Sequence, residues 1–198
     1  MKISMIKLYI QKIDELWCGA AIEEAKIFAT AFASNEKDAL KYLLKELPYN
    51  TIFQVSQKNS VLAEEVLRII KAICDGKDVS FSFQFAMNRL SNYAQRVLKL
   101  TSLIPTGYVT TYGALAKFEG GSPRSVGRVM ATNPFAPLIP CHRVVVADMT
   151  LGGYGGGLKT KWDILQKENR KYSRIFEAKI NDKALKLFPV GKLKPRTY

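Results

Sequence analysis

The chain has 198 residues and a mass of 22.2 kDa, enough for one or two domains that each bury a core without disulfide or metal staples. Apolar residues make up 47% and charged residues 24%, which excludes a disordered chain, and no apolar run approaches the roughly 18 residues of a membrane helix. The net charge of +13 is uneven: residues 1–90 carry 12 basic and 11 acidic side chains, 91–166 carry 8 and 3, and 167–198 carry 10 and 3.

In chain order, Lys2 to Ile10, Leu16 to Ile22 and Lys26 to Phe32 read as a meander of strands. The alternation from Met1 to Ile10 lacks the apolar stretch of a secretory signal, so an intracellular protein is expected. Ser34 or Asn35 can cap a helix through Leu47, ended by Pro48. Ser60 can cap another from Val61 to Cys74, with Leu62, Val66, Ile69 and Ile73 on one face and Gly76 after it. These elements predict an α+β domain over 1–90 that carries no chemistry.

From Ser91 the pattern becomes helix, turn, helix, turn, helix. Tyr93, Val97, Leu98, Leu100 and Leu103 mark a helix stopped by Pro105 and Gly107. Thr110 or Thr111 can cap the next, through Phe118. After Glu119-Gly120-Gly121, Ser122 is a good N-cap and Pro123 a good first helical residue, and the helix runs to about Thr132 before Asn133-Pro134. This spacing reads as a helix-turn-helix. Val126, Val129 and Met130 fall on its core face and Arg124, Gly127, Arg128 and Ala131 on the other. Glycine costs a helix about 1 kcal/mol relative to alanine, so Gly127 serves either close approach to a phosphate backbone or packing against a neighbouring helix.

The basic second half suits a polyanion such as nucleic acid, since neutralised phosphates release counterions; a solvated basic surface is the alternative. Cys18, Cys74 and Cys141 are too scattered for a disulfide framework. With one histidine and no Cys-x-x-Cys pair, no metal site and no cofactor is expected. In Pro140-Cys141-His142-Arg143-Val144, the cysteine adjoins that histidine. Such a pair is either inert core or a nucleophile with its base. In an extended segment neighbouring side chains diverge, so His142 would need a turn or a bridging water to reach the sulfur.

Pro140-Cys141-His142-Arg143-Val144, preceded by Asn133-Pro134 and followed by Gly153-Tyr154-Gly155-Gly156-Gly157-Leu158, resembles the active-site signature of the O6-alkylguanine-DNA alkyltransferases, also called methylated-DNA–protein-cysteine methyltransferases. The similarity spans about Tyr93 to Glu168 and includes Ile104-Pro105-x-Gly107 and Thr110-Thr111-Tyr112-Gly113. It implies a ribonuclease-H-like N-terminal domain (1–90), a winged helix-turn-helix-like domain for DNA binding and alkyl transfer (91–170), and, beyond the motifs, a basic tail (171–198). The implied activity is direct reversal of O6-alkylguanine in double-stranded DNA by a monomeric protein, in the cytoplasm or a nucleus. The flipped base gives its alkyl group irreversibly to Cys141, in a single turnover.

By motif, Cys141 matches the nucleophile, and His142 and Glu168 match a relay that activates it through water. The thiol is therefore expected to have a depressed pKa. Tyr112 matches the tyrosine that touches the neighbouring phosphate and can protonate the leaving base. Asn133 matches the residue joining the recognition helix to the active-site loop. Arg124 matches the arginine that fills the stack after extrusion, and Arg128, Thr111, Ser122, Gly127 and Ala131 fall on the implied DNA face. Met130, Val144, Tyr154, Gly155 and Gly156 match the wall of the base pocket. The chain departs from the pattern in three places: Gly155 stands where many members have serine, Trp162 is displaced by one place, and the first domain lacks the histidines of the zinc site found in some relatives. The tail binds phosphate or is merely solvated. A cysteine hydrolase would share Cys141 and His142 but turn over, and a damage-sensing DNA-binding module would not need the cysteine.

Overall fold

The computed structural model describes residues 5–58 and 60–194, and folds them as α+β with two four-stranded sheets and six α-helices among those residues. Residues Lys2 to Ser4 of the expected first strand, and Arg196, lie outside them. The described residues divide into two compact units: those up to Ile73 with Val79–Arg89 and Pro134–Leu138, and then Cys74–Asp78, Leu90–Asn133 and those from Ile139 on.

In the first unit, β1 (Ile6–Ile13), β2 (Leu16–Glu23) and β3 (Lys26–Ala33) form the antiparallel meander, and β4 (Phe53–Val55) adds in parallel to β1, giving the order β3-β2-β1-β4. Helix α1 (Glu36–Lys45) starts where Asn35 accepts a hydrogen bond from the Asp38 amide. It packs Leu43 against Ile6, Leu8, Ala21, Phe28 and Ala29 of the sheet. Helix α2 (Val61–Cys74) is capped by Ser60, and its buried stripe includes Val66, Leu67, Ile69, Ile70 and Ile73. Thr30 holds the returning segment through hydrogen bonds to the Pro134 and Ala136 carbonyls.

In the second unit, α3 (Asn92–Thr101), α4 (Tyr112–Glu119) and α5 (Pro123–Ala131) start at the caps Ser91, Thr111 and Ser122. The turn between α4 and α5 is held from α3: Tyr93 Oη donates to the Gly120 carbonyl and lies 3.0 Å from Ser125 Oγ, and Arg96 pairs with Glu119 at 3.2 Å. Gly121, at φ +95°, passes so close to Tyr93 that a Cβ there would sit 2.7 Å from its hydroxyl.

The sheet of this unit has the order β6-β5-β8-β7, formed by β5 (Tyr108–Thr111), β6 (Val144–Val145), β7 (Phe176–Ile180) and β8 (Lys183–Pro189). Residues expected as a tail therefore contribute two strands, because Leu185, Leu187 and Val190 bury their side chains and β8 pairs with β5. Helix α6 (Leu158–Glu168) packs Leu165 with Val109, Val145, Leu151 and Val190, and the displaced Trp162 packs against the same cluster.

Candidate active site

Cys141, His142 and Arg143 form one turn of 3-10 helix between Ile139 and β6, with the Cys141 amide bonded to the Ile139 carbonyl and the Arg143 amide to the Pro140 carbonyl. In a 3-10 turn successive side chains point about 120° apart, so the turn sends neighbouring side chains in separate directions. Cys141 lines a pocket of about 670 Å³ in the second unit, with Tyr112, Pro123, Gly127, Met130 and Tyr154 among its walls. His142 is fully buried, and its Nε2 lies 3.0 Å from Glu168 Oε1.

Glu168 is the hub of a buried ionic network. Arg143 reaches its carboxylate with Nε at 3.0 and 3.2 Å and Nη2 at 2.8 Å, and also donates to the Ile104 carbonyl and the Thr106 hydroxyl. Burial works to raise the Glu168 pKa, but the charge and hydrogen bond of His142 together with Arg143 outweigh it and lower it to about 2. Burial, reinforced by the positive charges of Arg143 and Lys161, lowers His142 despite Glu168, so the imidazole is neutral at pH 7. An ionised Glu168 accepts the proton on Nε2, which leaves Nδ1 as the basic nitrogen. Nδ1 is buried and has no hydrogen-bond partner among the described residues.

The expected depression of the Cys141 pKa is not what this environment produces. Burial pushes the thiol up, and the opposing hydrogen bond of Asn133 and charge of Lys161 do not reverse it. Desolvation disfavours a thiolate, and the adjoining His142 is a neutral imidazole rather than a cation. Cys141 thus rests as a thiol and needs a base at the moment of reaction. Tyr112 is also pushed up, by burial and then by Cys141, so its phenol keeps its proton. Asn133 additionally donates to the Ile139 carbonyl at 2.9 Å.

Two participants were not singled out by sequence reasoning. Lys161 is fully buried and donates to the Val144 carbonyl at 2.7 Å and the Leu151 carbonyl at 2.5 Å, tying the strand after the Cys141 turn to the loop before α6. Burial lowers it to about 8. Its signal was present: Lys161, Ile164, Leu165 and Glu168 follow helical spacing, which puts two charged residues on the buried face of α6. Arg143 had no such signal, because its partners Ile104 and Glu168 lie 39 and 25 residues away.

On α5, Val126, Val129 and Met130 are buried and Arg124, Arg128 and Ala131 are exposed. A Cβ on Gly127 would meet no atom of a neighbouring element within 4 Å among the described residues, so packing against another helix does not explain this glycine. Gly153 and Gly155 also line the pocket with open space around them. Gly152, at φ +67°, crosses Tyr112 so closely that a Cβ would sit 3.0 Å from its ring. Thr111 and Ser122 spend their hydroxyls on capping α4 and α5. Met130, Ala131, Tyr154 and Gly155 stand in the pocket wall. Val144 and Gly156 do not line it: Val144 is buried in β6, and a Cβ on Gly156 would sit 3.1 Å from the Tyr154 ring.

A family model described as the DNA-binding domain of 6-O-methylguanine DNA methyltransferase matches residues 92–170. A methylated-DNA–protein-cysteine methyltransferase of Methanocaldococcus jannaschii is 30% identical over 159 residues, covering 80% of this chain and 92% of that protein. The chain belongs to the methylated-DNA–protein-cysteine methyltransferase family. A Methanothermobacter thermautotrophicus member is 40% identical over 106 residues, 53% of this chain, and a Pyrobaculum aerophilum member 54% identical over 65 residues, 33% of this chain. The chain spans 60% and 44% of the lengths of those two family members. Among solved structures, the O6-methylguanine-DNA methyltransferase of Pyrococcus kodakaraensis superposes with a TM-score of 0.65 at 28% identity, covering 83% of this chain and 99% of that one. A Mycobacterium tuberculosis structure in complex with DNA shares the fold at 22% identity and a TM-score of 0.64, over 82% of this chain and 92% of that one.

Proposed function

We propose that this protein repairs DNA by moving the alkyl group of O6-alkylguanine onto Cys141, once per molecule. The observation that carries this reading is the thiol at a pocket wall, followed in the same turn by a neutral imidazole whose Nε2 is held by Glu168 while Nδ1 has no partner among the described residues. The thiol proton passes through a bridging water to Nδ1, and the imidazolium so formed is stabilised by the Glu168 carboxylate. Sulfur attacks the alkyl carbon, the carbon–oxygen bond breaks, and the electron pair goes to the purine. Tyr112 protonates that base, and the imidazolium of His142 returns a proton through water to the tyrosinate, so both side chains are restored and the proton lost by the thiol is the one gained by guanine. The thioether has no hydrolytic exit, which makes the protein its own co-substrate.

The exposed face of α5 is the proposed DNA surface, within a winged helix-turn-helix arrangement, and the first unit is read as ribonuclease-H-like. The protein acts as a monomer wherever the cell keeps its DNA. Arg124 enters the base stack in place of the extruded guanine, offsetting part of the few kcal/mol of unstacking, while Arg128 meets phosphate. Arg124→Ala should slow transfer from duplex DNA far more than from the free modified base, and equal losses on both would refute the role. Arg128→Ala should weaken all duplexes alike and make the salt slope shallower by about one unit.

Gly127 supports the same reading, since the space beside it is open. Gly127→Ala should stabilise the helix by up to about 1 kcal/mol yet weaken duplex binding, because a methyl group would stand where a backbone must approach. Thermal melting and a binding isotherm on the same variant check both halves; a variant that binds as tightly as its parent removes the argument.

A further inference from the structure

The C-terminal hairpin lies beyond residues 92–170, the part matched by the family model, and nothing in the proposed chemistry uses it. Its strands pair Glu177 with Lys186, Ala178 with Leu185, Lys179 with Ala184 and Ile180 with Lys183. Directly opposed residues share a face of the ribbon. One face buries Leu185 and Leu187, and the other leaves Glu177, Lys179, Ala184 and Lys186 exposed. Lys179 is exposed and stands opposite the small Ala184. Residues 171–194 hold seven Lys or Arg against Glu177 and Asp182.

The hairpin is anchored to the helix-turn-helix at two places. Tyr108 and Val109 of β5 pair with Pro189 and Phe188, and the Thr110 hydroxyl donates to the Lys186 carbonyl at 2.8 Å. At its tip, Lys183 donates to the Phe118 carbonyl at 2.8 Å and lies 5.4 Å from the centre of the Phe118 ring. Phe118 is the penultimate residue of α4, and only Glu119, Gly120 and Gly121, a span of at most about 14 Å of chain, separate it from Ser122, the cap of α5. The tip therefore stands beside the N-terminus of α5, on which Arg124 is carried. One helical turn of a duplex is about 34 Å long, so a duplex seated on α5 extends over a neighbour this close.

We infer that the β7–β8 hairpin is a second DNA-contacting element, a wing whose Lys179 and Lys186 meet phosphates flanking the segment held by α5. This rests on the proposed DNA-repair reading of the same unit. The observations favouring it are charge complementarity and the tie of Lys183 to the turn that aims α5. The wing reads no sequence, because its exposed face offers ammonium groups, which recognise phosphate as point charges.

The test uses the full chain with the double substitution Lys179→Gln/Lys186→Gln, and titrates a fluorescent 20-base-pair undamaged duplex at several salt concentrations. Each phosphate contact contributes about 0.9 to the slope of log affinity against log salt, so the slope should become shallower by about 1 to 2 and affinity at 0.1 M salt should fall by roughly ten-fold or more. Glu177→Gln should move affinity the other way, since it removes a negative charge opposite Lys186 on the exposed face. A melting temperature equal to the parent's shows that the hairpin still folds. If the double variant and its parent share one slope and one affinity while Arg128→Ala lowers both, the wing is overturned and the α5 reading survives. A parent protein that binds no duplex overturns both.

Discussion

Cys141→Ala is expected to abolish transfer of radiolabel from DNA containing O6-methylguanine, while the parent protein saturates at about one label per chain. The substitution removes the nucleophile, and no other cysteine can stand in: Cys18 and Cys74 are buried and neither lines the pocket. Its cost to stability should be small, about 1 kcal/mol, because a buried thiol behaves as a small apolar group. Duplex binding should persist, since α5 presents its exposed face independently of the sulfur. Transfer that survives the substitution, or label in excess of the protein, would refute the proposed chemistry. The raised thiol pKa adds a sharper expectation: in the DNA-free protein, Cys141 should react with iodoacetamide at pH 7 more slowly than a free cysteine. A fast reaction would mean that the thiolate exists before the substrate arrives.

Glu168→Gln should slow transfer by about 10²- to 10⁴-fold, the usual worth of a positioned base, because the amide neither fixes the Nε2–H tautomer of His142 nor stabilises its cation. It should also destabilise the fold by about 3 to 5 kcal/mol, since the buried Arg143 guanidinium loses its countercharge. Rates measured well below the variant's melting temperature separate the two effects. A variant that melts early but transfers at the parent rate would leave Glu168 a purely structural role.

The same network sets the acid sensitivity of the protein. Glu168 has a folded pKa near 2 against an ordinary 4.5, so its contribution is fully present above 4.5 and is lost as pH falls towards 2; the difference corresponds to about 3 kcal/mol. His142 acts in the same direction at higher pH. Its folded pKa lies below 6.5, so on acidification the unfolded chain takes up the proton first and stability falls from pH 6.5 downward. Chemical denaturation from pH 7 to pH 3 should therefore show two successive losses, and Glu168→Gln should remove the lower one. A parent protein equally stable at pH 3 and pH 7 would contradict this assignment.

The helix starts were legible in the sequence because their causes are local. Asn35, Ser60, Thr111 and Ser122 each accept a hydrogen bond from an amide three residues on, and such a bond depends on little beyond those four residues. The two faces of α5 were legible for the same reason: a 3.6-residue period sorts Val129 from Arg128 wherever the helix is placed. The Cys141 motif was legible through resemblance, since an isolated Cys-His pair is equally compatible with inert core. Long-range packing decided the rest. Arg143 finds Glu168 and Ile104 only after α6 and the segment before β5 have docked, and Lys161 gains its role from two carbonyls 10 and 17 residues away. The direction of the Cys141 pKa depends on how completely the pocket excludes water, a property of the assembled unit. The C-terminal strands have the same origin, because a run of lysines forms a sheet only when Leu185 and Leu187 have a core to enter and β5 offers an edge to pair with.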